Sequence, residues 1–385
     1  MVNNSSQICL TISQMELYGN EMEKYLQRLL YPLVAIFGVT GNVLNLTVLL
    51  NRSSRSRSNI FLAALAVADI IFLLLLTPNI LATYPVFTYN YFYRYIYFHI
   101  KIHLLSLTNW VSSTAIWLMI AVCANRLIGI MRPLHAKTDW NQYRISLIIA
   151  AIIIMTGIVN FYQHFQYVCL IRHFCYGTQI YSKCRSVNND RLAMLLIQRW
   201  FRNGTNPYPT SYRRFIDISI TVNAVTTIIL PIFLLSFLNV LLLCTLRNRR
   251  VFLLVASNQK WYKFEFKFCS STKKSSTFRY LKTEHHVTMT VALIVTAFII
   301  LNGPSAVIHL VNLAHKRKLN YNFILLGNTL VIINKACNFI LFCLTSEHFR
   351  GRLFKLTQKK VSRRMRMFST ISVKTSSNIR QRVQS

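Results

Sequence analysis

The sequence predicts an all-α membrane protein: a seven-transmembrane helix bundle followed by a short amphipathic cytosolic helix. Three observations carry this. Seven apolar stretches fall at roughly 29–51, 59–83, 104–130, 145–168, 216–246, 286–313 and 322–345, each near the ~20 residues a helix needs to cross a bilayer. The chain is 53% hydrophobic and only 14% charged, against about 25% charged in soluble proteins. The 44 Lys and Arg, which set a formal charge of +34, lie in the gaps between the apolar runs. That placement argues against nucleic-acid binding, which asks for a basic face on a folded domain.

Other classes are excluded as directly. HExxH, Walker A, GxSxG and GxGxxG motifs are absent, so nothing points to an enzyme. The nine cysteines form no CxxC pair, so no zinc site, and no metal or cofactor, is expected.

The elements follow in order. Residues 1–28 form an extracellular tail. Its start, "MVNNSSQICLTISQ", has no basic-then-apolar leader, so the first span is expected to direct its own insertion. The gap after span one, "NRSSRSRSN", holds three arginines and no acid. Basic loops stay cytosolic, which places the N-terminus outside. Most of the 44 basic residues then lie inside, although the second outer loop is itself basic. Glycosylation sequons at Asn3, Asn4 and Asn203 fall outside, and another at Asn45 lies within span one, where it cannot be used. Residues 346–385 give the amphipathic helix and a basic, Ser- and Thr-rich cytoplasmic tail, a candidate for phosphorylation. The expected location is the plasma membrane, multi-pass, with the bilayer as solvent.

Span seven, "TLVIINKACNFILFCLT", carries Lys335 near its middle, where a lone charge costs on the order of 2.5–3.5 kcal/mol even on the lenient insertion scale. Counted at 1.5 Å per residue from the cytosolic ends, Lys335, Asp69 in span two and Asn42 in span one share one depth, near the midplane. Asp69 is the only acid in the interior of any span, so the two ions are expected to pair. The pair reads either as a satisfied structural contact or as a switch element between spans two and seven. A proton relay in a transporter is a rival reading, opposed by the odd span count and the absence of paired halves.

The chain resembles the rhodopsin-like (class A) G-protein-coupled receptors. The likeness runs through "GN" at Gly41–Asn42, "LAVAD" ending at Asp69, "NRLIGIMRPL" after span three, Pro231 and Pro304, "NFILF" at Asn338–Phe342, and "EHFRGRLF". The resemblance implies that Asn42, Asp69, Ala115, Asn334, Lys335 and Asn338 occupy the family's sodium pocket. Ala115 and Lys335 replace small hydroxyl residues there, so the Lys335 ammonium is expected to stand in for sodium. It also implies that Arg126 latches the inactive state and then meets the G protein, that Leu134 plugs into the G protein, and that tail phosphorylation recruits arrestin. The acid usual before the arginine is Asn125 here. Glu284, at the inner start of span six, is a candidate substitute, or simply a solvated helix-start acid. Taken without the resemblance, Arg126 reads as a snorkelling interfacial arginine. Phe342 and Asn239 replace tyrosines that support the active state.

Within that family the chain is similar to invertebrate FMRFamide-type neuropeptide receptors, through "STAIWLMIAVCANRLIGIMRPLHA", "NFYQHFQY", "FIILNGP" and "INKACNFILF". Nematode peptide-receptor-like chemoreceptors share several of these features, and a small-molecule chemoreceptor is the alternative. Thr108 stands where amine receptors keep an aspartate and Ile332 where opsins keep their lysine, which excludes both. Ligand candidates by position are Thr108, Ser112, Asn223, Asn302, His309 and Asn328, each equally an interhelical hydrogen-bonding group. Asn302 sits at the usual toggle tryptophan. Asp217 and Asp190 are the acids expected to receive a ligand arginine, although the basic outer face suits an acidic peptide. The span-three cysteine is replaced by Lys101. Cys175 and Cys184 are a candidate disulfide, with Cys169 and Cys9 as alternative partners.

Overall fold

The computed structural model describes residues 8–50, 57–131, 142–188, 208–258, 271–314 and 320–345, with Arg350, Gly351, Leu353, Phe354 and Gln358. Among them, seven helices are long and apolar enough to cross a membrane: Glu21–Leu49, Asn59–Leu81, Tyr91–Met131, Tyr143–His164, Thr210–Asn248, Thr288–Val311 and Tyr321–Leu341. They are spans one to seven below. The bundle face that carries the N-terminal segment is the near face, and the opposite one the far face.

Span one starts early because its first turn is well made. The Asn20 side chain accepts the Glu23 amide at 2.8 Å, and Glu21 and Glu23 lie at the positive end of the helix dipole. Two proline effects then shape spans one and five. Pro32 has no N–H to give the Arg28 carbonyl. The helix widens into a π-turn over Leu26–Leu30, and that carbonyl accepts the Tyr84 hydroxyl at 2.7 Å. Pro231 likewise follows a π-turn in span five, over Val225–Ile229. There the Thr226 carbonyl accepts Trp117 Nε1 from span three at 3.2 Å. In both cases a backbone carbonyl near the proline ties one element to another.

The expected boundaries of spans three and four need correction. Span three is helical from Tyr91, not 104. Residues 91–103 are interrupted by Arg94, Lys101 and histidines, so an apolar criterion stops there while the backbone does not. In span four the α-helix ends at Asn160, a 3₁₀ turn covers Phe161–His164, and a strand has begun by Tyr167.

That strand, β1 (Tyr167–Phe174), pairs antiparallel with β2 (Gln179–Ser186) in a hairpin on the near face. Its turn holds Cys175, Tyr176 and Gly177 at φ of 51°, 55° and 92°. The register sets Cys169 directly opposite Cys184, and these two are joined. Cys175 lies at the tip and reaches Cys9 of the N-terminal segment. The expected Cys175–Cys184 bridge is therefore wrong. The turn consumes Cys175 at the end of the hairpin, while strand pairing fixes the partner of Cys184 across the ladder.

With Lys101 in place of the usual cysteine, no disulfide joins the hairpin to span three. Arg94, fully buried, holds it instead. Its Nε donates to Ile180 O of β2 at 2.8 Å, and its Nη1 to Met15 O at 2.6 Å and Thr88 O at 2.8 Å. One side chain thus gathers the hairpin, the N-terminal segment and the loop after span two. The guanidinium also lies 5.1 Å from the Phe98 ring centre.

The main apolar core fills the far half of the bundle. Leu118, Met119, Val122, Leu235, Ile294 and Val295 all lie in it. At the far end of span seven, Arg350 Nη1 donates to the carbonyls of Cys343 and Leu344 at 2.9 and 3.0 Å, covering two acceptors a helix end leaves open. Arg350, Gly351, Leu353 and Phe354 are helical, with Leu353 packed on the core and Phe354 exposed. That is the amphipathic pattern expected there.

Proteolysis of unreduced protein followed by mass spectrometry should recover Cys9–Cys175 and Cys169–Cys184 as linked peptides. Recovery of a Cys175–Cys184 peptide would contradict the strand register.

Candidate functional site: a roofed cavity above a buried ion pair

Two features meet in the middle of the bundle. The first is a cavity of about 830 Å³ opening on the near face, beneath the hairpin. The second is the ion pair below it.

Six of the seven sequence-derived ligand candidates line the cavity: Thr108, Ser112, Asn223, Asn302, His309 and Asn328. They are not equivalent. Thr108 Oγ1 donates to Leu104 O at 2.7 Å and Asn302 Nδ2 to Phe298 O at 2.8 Å, each satisfied on its own helix. Asn223 Nδ2 donates to Asn160 Oδ1 at 3.1 Å. Among the described residues, the side chains of Ser112, His309 and Asn328 make no hydrogen bond, so these three offer unspent polar groups. The seventh candidate, Asp217, is not at the cavity. It is exposed, and its carboxylate accepts the Asn188 side chain.

Sequence reasoning missed a chain of carboxamides in the wall. Asn109 Nδ2 donates to Gln163 Oε1 at 2.7 Å, Gln163 Nε2 to Asn160 Oδ1 at 3.0 Å, and Asn160 also receives Asn223. The chain joins spans three, four and five. Its signal was present in "NFYQHFQY", where three amides follow the apolar run of span four.

Below the cavity, Lys335 Nζ lies 3.2 Å from Asp69 Oδ1, and both side chains are 1% exposed. Asn338 Nδ2 donates to the other carboxylate oxygen at 2.5 Å. Asn42 Nδ2 donates to Lys335 O and to Gly38 O, both at 3.0 Å. The equal depth counted from the sequence is therefore real contact. Two glycines allow it. A Cβ on Gly38 would come within 2.6 Å of Leu73 Cδ1, and one on Gly41 within 2.7 Å of Phe339 Cβ, so spans one, two and seven close up around the pair. Asn334 and Ala115 are also buried, and Asn334 Nδ2 has no hydrogen-bond partner among the described residues. Phe72 links the two features: its ring lines the cavity and lies 5.3 Å from Lys335 Nζ.

On the far face, Arg126 is buried, at 8% exposure, and does not snorkel; Asn125 beside it is half-buried. Asn239 Nδ2 donates to Thr296 Oγ1 at 3.0 Å, joining spans five and six. Asn3, Asn4, Leu134, Asp190 and Asn203 lie outside the described residues, as do the side chains of Glu284 and Phe342.

Seven spans, a largely apolar cavity open to one face and a buried charge pair at mid-depth point to a seven-transmembrane receptor of the G-protein-coupled class. Residues 29–360 match the family described as "Serpentine type 7TM GPCR chemoreceptor Srw", and the chain belongs to it. The membership makes it a multi-pass membrane receptor that acts through a G protein. It also corrects the subfamily: the chemoreceptor alternative, not the FMRFamide-type resemblance, carries the match. Two Caenorhabditis elegans proteins are similar to it. One, "Putative G-protein coupled receptor F59B2.13", is 35% identical over 378 residues, 97% of this chain and 82% of that protein. The other, "Probable G-protein coupled receptor B0563.6", is 25% identical over 333 residues, 83% of this chain and 66% of that protein.

Removing one ion of a buried pair strands the other, at a typical cost of about 3–5 kcal/mol. Lys335→Met and Asp69→Leu should each lower the melting temperature of the purified receptor sharply. The double variant Asp69→Leu/Lys335→Met should recover most of the loss. Additive losses in a thermal-shift assay would show that the two side chains act separately.

Proposed function

We propose that this chain is a plasma-membrane chemoreceptor that takes an extracellular ligand into the 830 Å³ cavity and signals to a heterotrimeric G protein. The observation that carries the reading is the cavity itself. It lies between spans that carry Ser112, His309 and Asn328, with polar groups unspent, and its wall shares Phe72 with the ion pair beneath. Pockets of about 300–1,000 Å³ lined by apolar and aromatic residues with a few placed polar groups are the usual form of a small-ligand site. A ligand seated there bears on Phe72 and Asn302, and through them on spans two and six. Outward movement of span six would then open the far face around Arg126, with Leu134 as a contact for the G protein and Glu284 as a restraint in the resting state. The near face, with the N-terminus and the sequons at Asn3, Asn4 and Asn203, is extracellular in this reading. Arrestin recruitment through the phosphorylated tail follows from the class resemblance alone.

A short peptide is the second reading. The likeness of spans three and seven to FMRFamide-type receptors favours it, and the cavity has room for the end of such a peptide.

The test is a screen in cells expressing the receptor with a promiscuous G protein, reading calcium, with small volatile and water-soluble metabolites in one arm and short amidated peptides in the other. Activation in the first arm is expected, with potency reduced in Ser112→Ala and Asn328→Ala and unchanged in Asp217→Asn. Activation insensitive to both cavity variants would place the ligand elsewhere.

The Lys335 ammonium occupies the place a sodium ion takes in the resembled family. Agonist potency should therefore be the same in sodium and in N-methylglucamine at matched ionic strength, and Lys335→Ser should gain a sodium-dependent loss of potency. A sodium effect in the unaltered receptor would refute the substitution.

A further inference from the structure

The chain has a formal charge of +34, yet no Lys, Arg or Asp lines the cavity. Among the described residues its polar wall is made of neutral carboxamides and hydroxyls, Gln27, Asn79, Asn223, Asn302 and Asn328 among the amides. The one formally charged lining side chain is Glu23. We infer that the ligand bears a positive charge and no negative one, and that Glu23 receives its cationic group at the mouth of the cavity. The inference rests on the cavity being the ligand site.

Glu23 is held ready for this. Its Oε1 accepts Gln27 Nε2 at 2.8 Å and its Oε2 accepts the Gly19 amide at 2.5 Å. With the Tyr321 hydroxyl, which also bonds Glu23, these contacts fix the carboxylate and leave roughly one of its four acceptor positions open. The turn that carries it is anchored across the mouth, where Asn20 Nδ2 donates to Asn322 Oδ1 at the start of span seven at 2.7 Å. Tyr321, on the same edge, crowds the Gly19 backbone, where a Cβ would lie 3.2 Å from both its ring and Glu23 Oε2.

The basic side chains nearby are engaged elsewhere. Lys24 pairs with Glu21 at 3.0 Å, Arg28 Nε donates to Thr83 O at 2.8 Å, and Lys101 Nζ lies over the Phe98 ring. Among the described residues no ion pair reaches Glu23, so no side-chain cation offsets its charge toward the cavity. Tyr31, Tyr97 and Tyr321 line the same end and offer ring faces to a cation. The positive charges of the rest of the protein are screened beyond about 8 Å at physiological ionic strength, whereas Glu23 acts on a ligand at contact. An anionic ligand would meet Glu23 with no cation to offset it. The arrangement differs from an amine pocket built on span three: Thr108 supplies no charge there, and the acid comes from the N-terminal turn of span one.

The test uses the purified full-length receptor in lipid nanodiscs and two probes of one shape and opposite charge, phenethylamine and 3-phenylpropionate. Phenethylamine should raise the melting temperature in a dose-dependent way and 3-phenylpropionate should not. Glu23→Gln should abolish the phenethylamine shift, and Glu23→Asp should keep it, with the probe-free melting temperature of each variant reporting its folding. Equal shifts from the two probes, no shift from either, or a phenethylamine shift that survives Glu23→Gln overturns the assignment. Because the readout is binding without a G protein, a receptor that still signals in cells while failing this test refutes the cation site alone. One that binds phenethylamine through Glu23 but never signals refutes the signalling role alone.

Discussion

The bundle is organised around a carboxylate and an ammonium held in contact in the apolar middle of the protein. Neither ion is tolerable there alone, because the interior does not replace the water each has lost. The demand for contact therefore fixes the relative height and rotation of spans two and seven. Asn338 completes the coordination of Asp69, Asn42 clamps the Lys335 backbone, and Gly38 and Gly41 give up side chains so that span one can reach both. The pair contributes less as stabilising energy than as a constraint: any rearrangement of span seven must carry Lys335 with Asp69 or strand one of them.

The charge distribution separates two tasks. Basic residues between spans are of the kind that orient chains in membranes and attract anionic lipid. The cavity is kept clear of them, and part of its wall is a run of amides that hydrogen-bond with each other. The Asn109–Gln163–Asn160–Asn223 chain shows the cost of that choice. Amides lining a wall must be satisfied when the cavity is empty, so part of the polar lining is scaffold. Among the ligand candidates, Ser112, His309 and Asn328 make no hydrogen bond within the described residues.

The spans, the Asp69–Lys335 contact and six cavity residues were legible in the sequence because each follows from hydropathy, rise per residue or helical position alone. What was not legible depends on strand register or on chain segments far apart in sequence. Cys184 pairs with Cys169 because a ladder sets them opposite, which spacing cannot show. Glu23 seemed part of an extracellular tail because the apolar run starts later, but the Asn20 cap carries the helix back to include it. Asp217 was selected as a near-face acid, yet it is exposed and bonded to Asn188. The helical extension over 91–103 was hidden by Arg94 and Lys101, which end an apolar run without ending a helix.

Arg94 has a consequence for how the receptor tolerates its surroundings. A roof stitched to span three by sulfur would loosen in a reducing milieu. Here the seat is a guanidinium clasping backbone oxygens, indifferent to thiols and charged at any ordinary acidity. Reductants would cut the hairpin tip from Cys9 and unlock its Cys169–Cys184 rung, but the lid over the cavity would still have its peg.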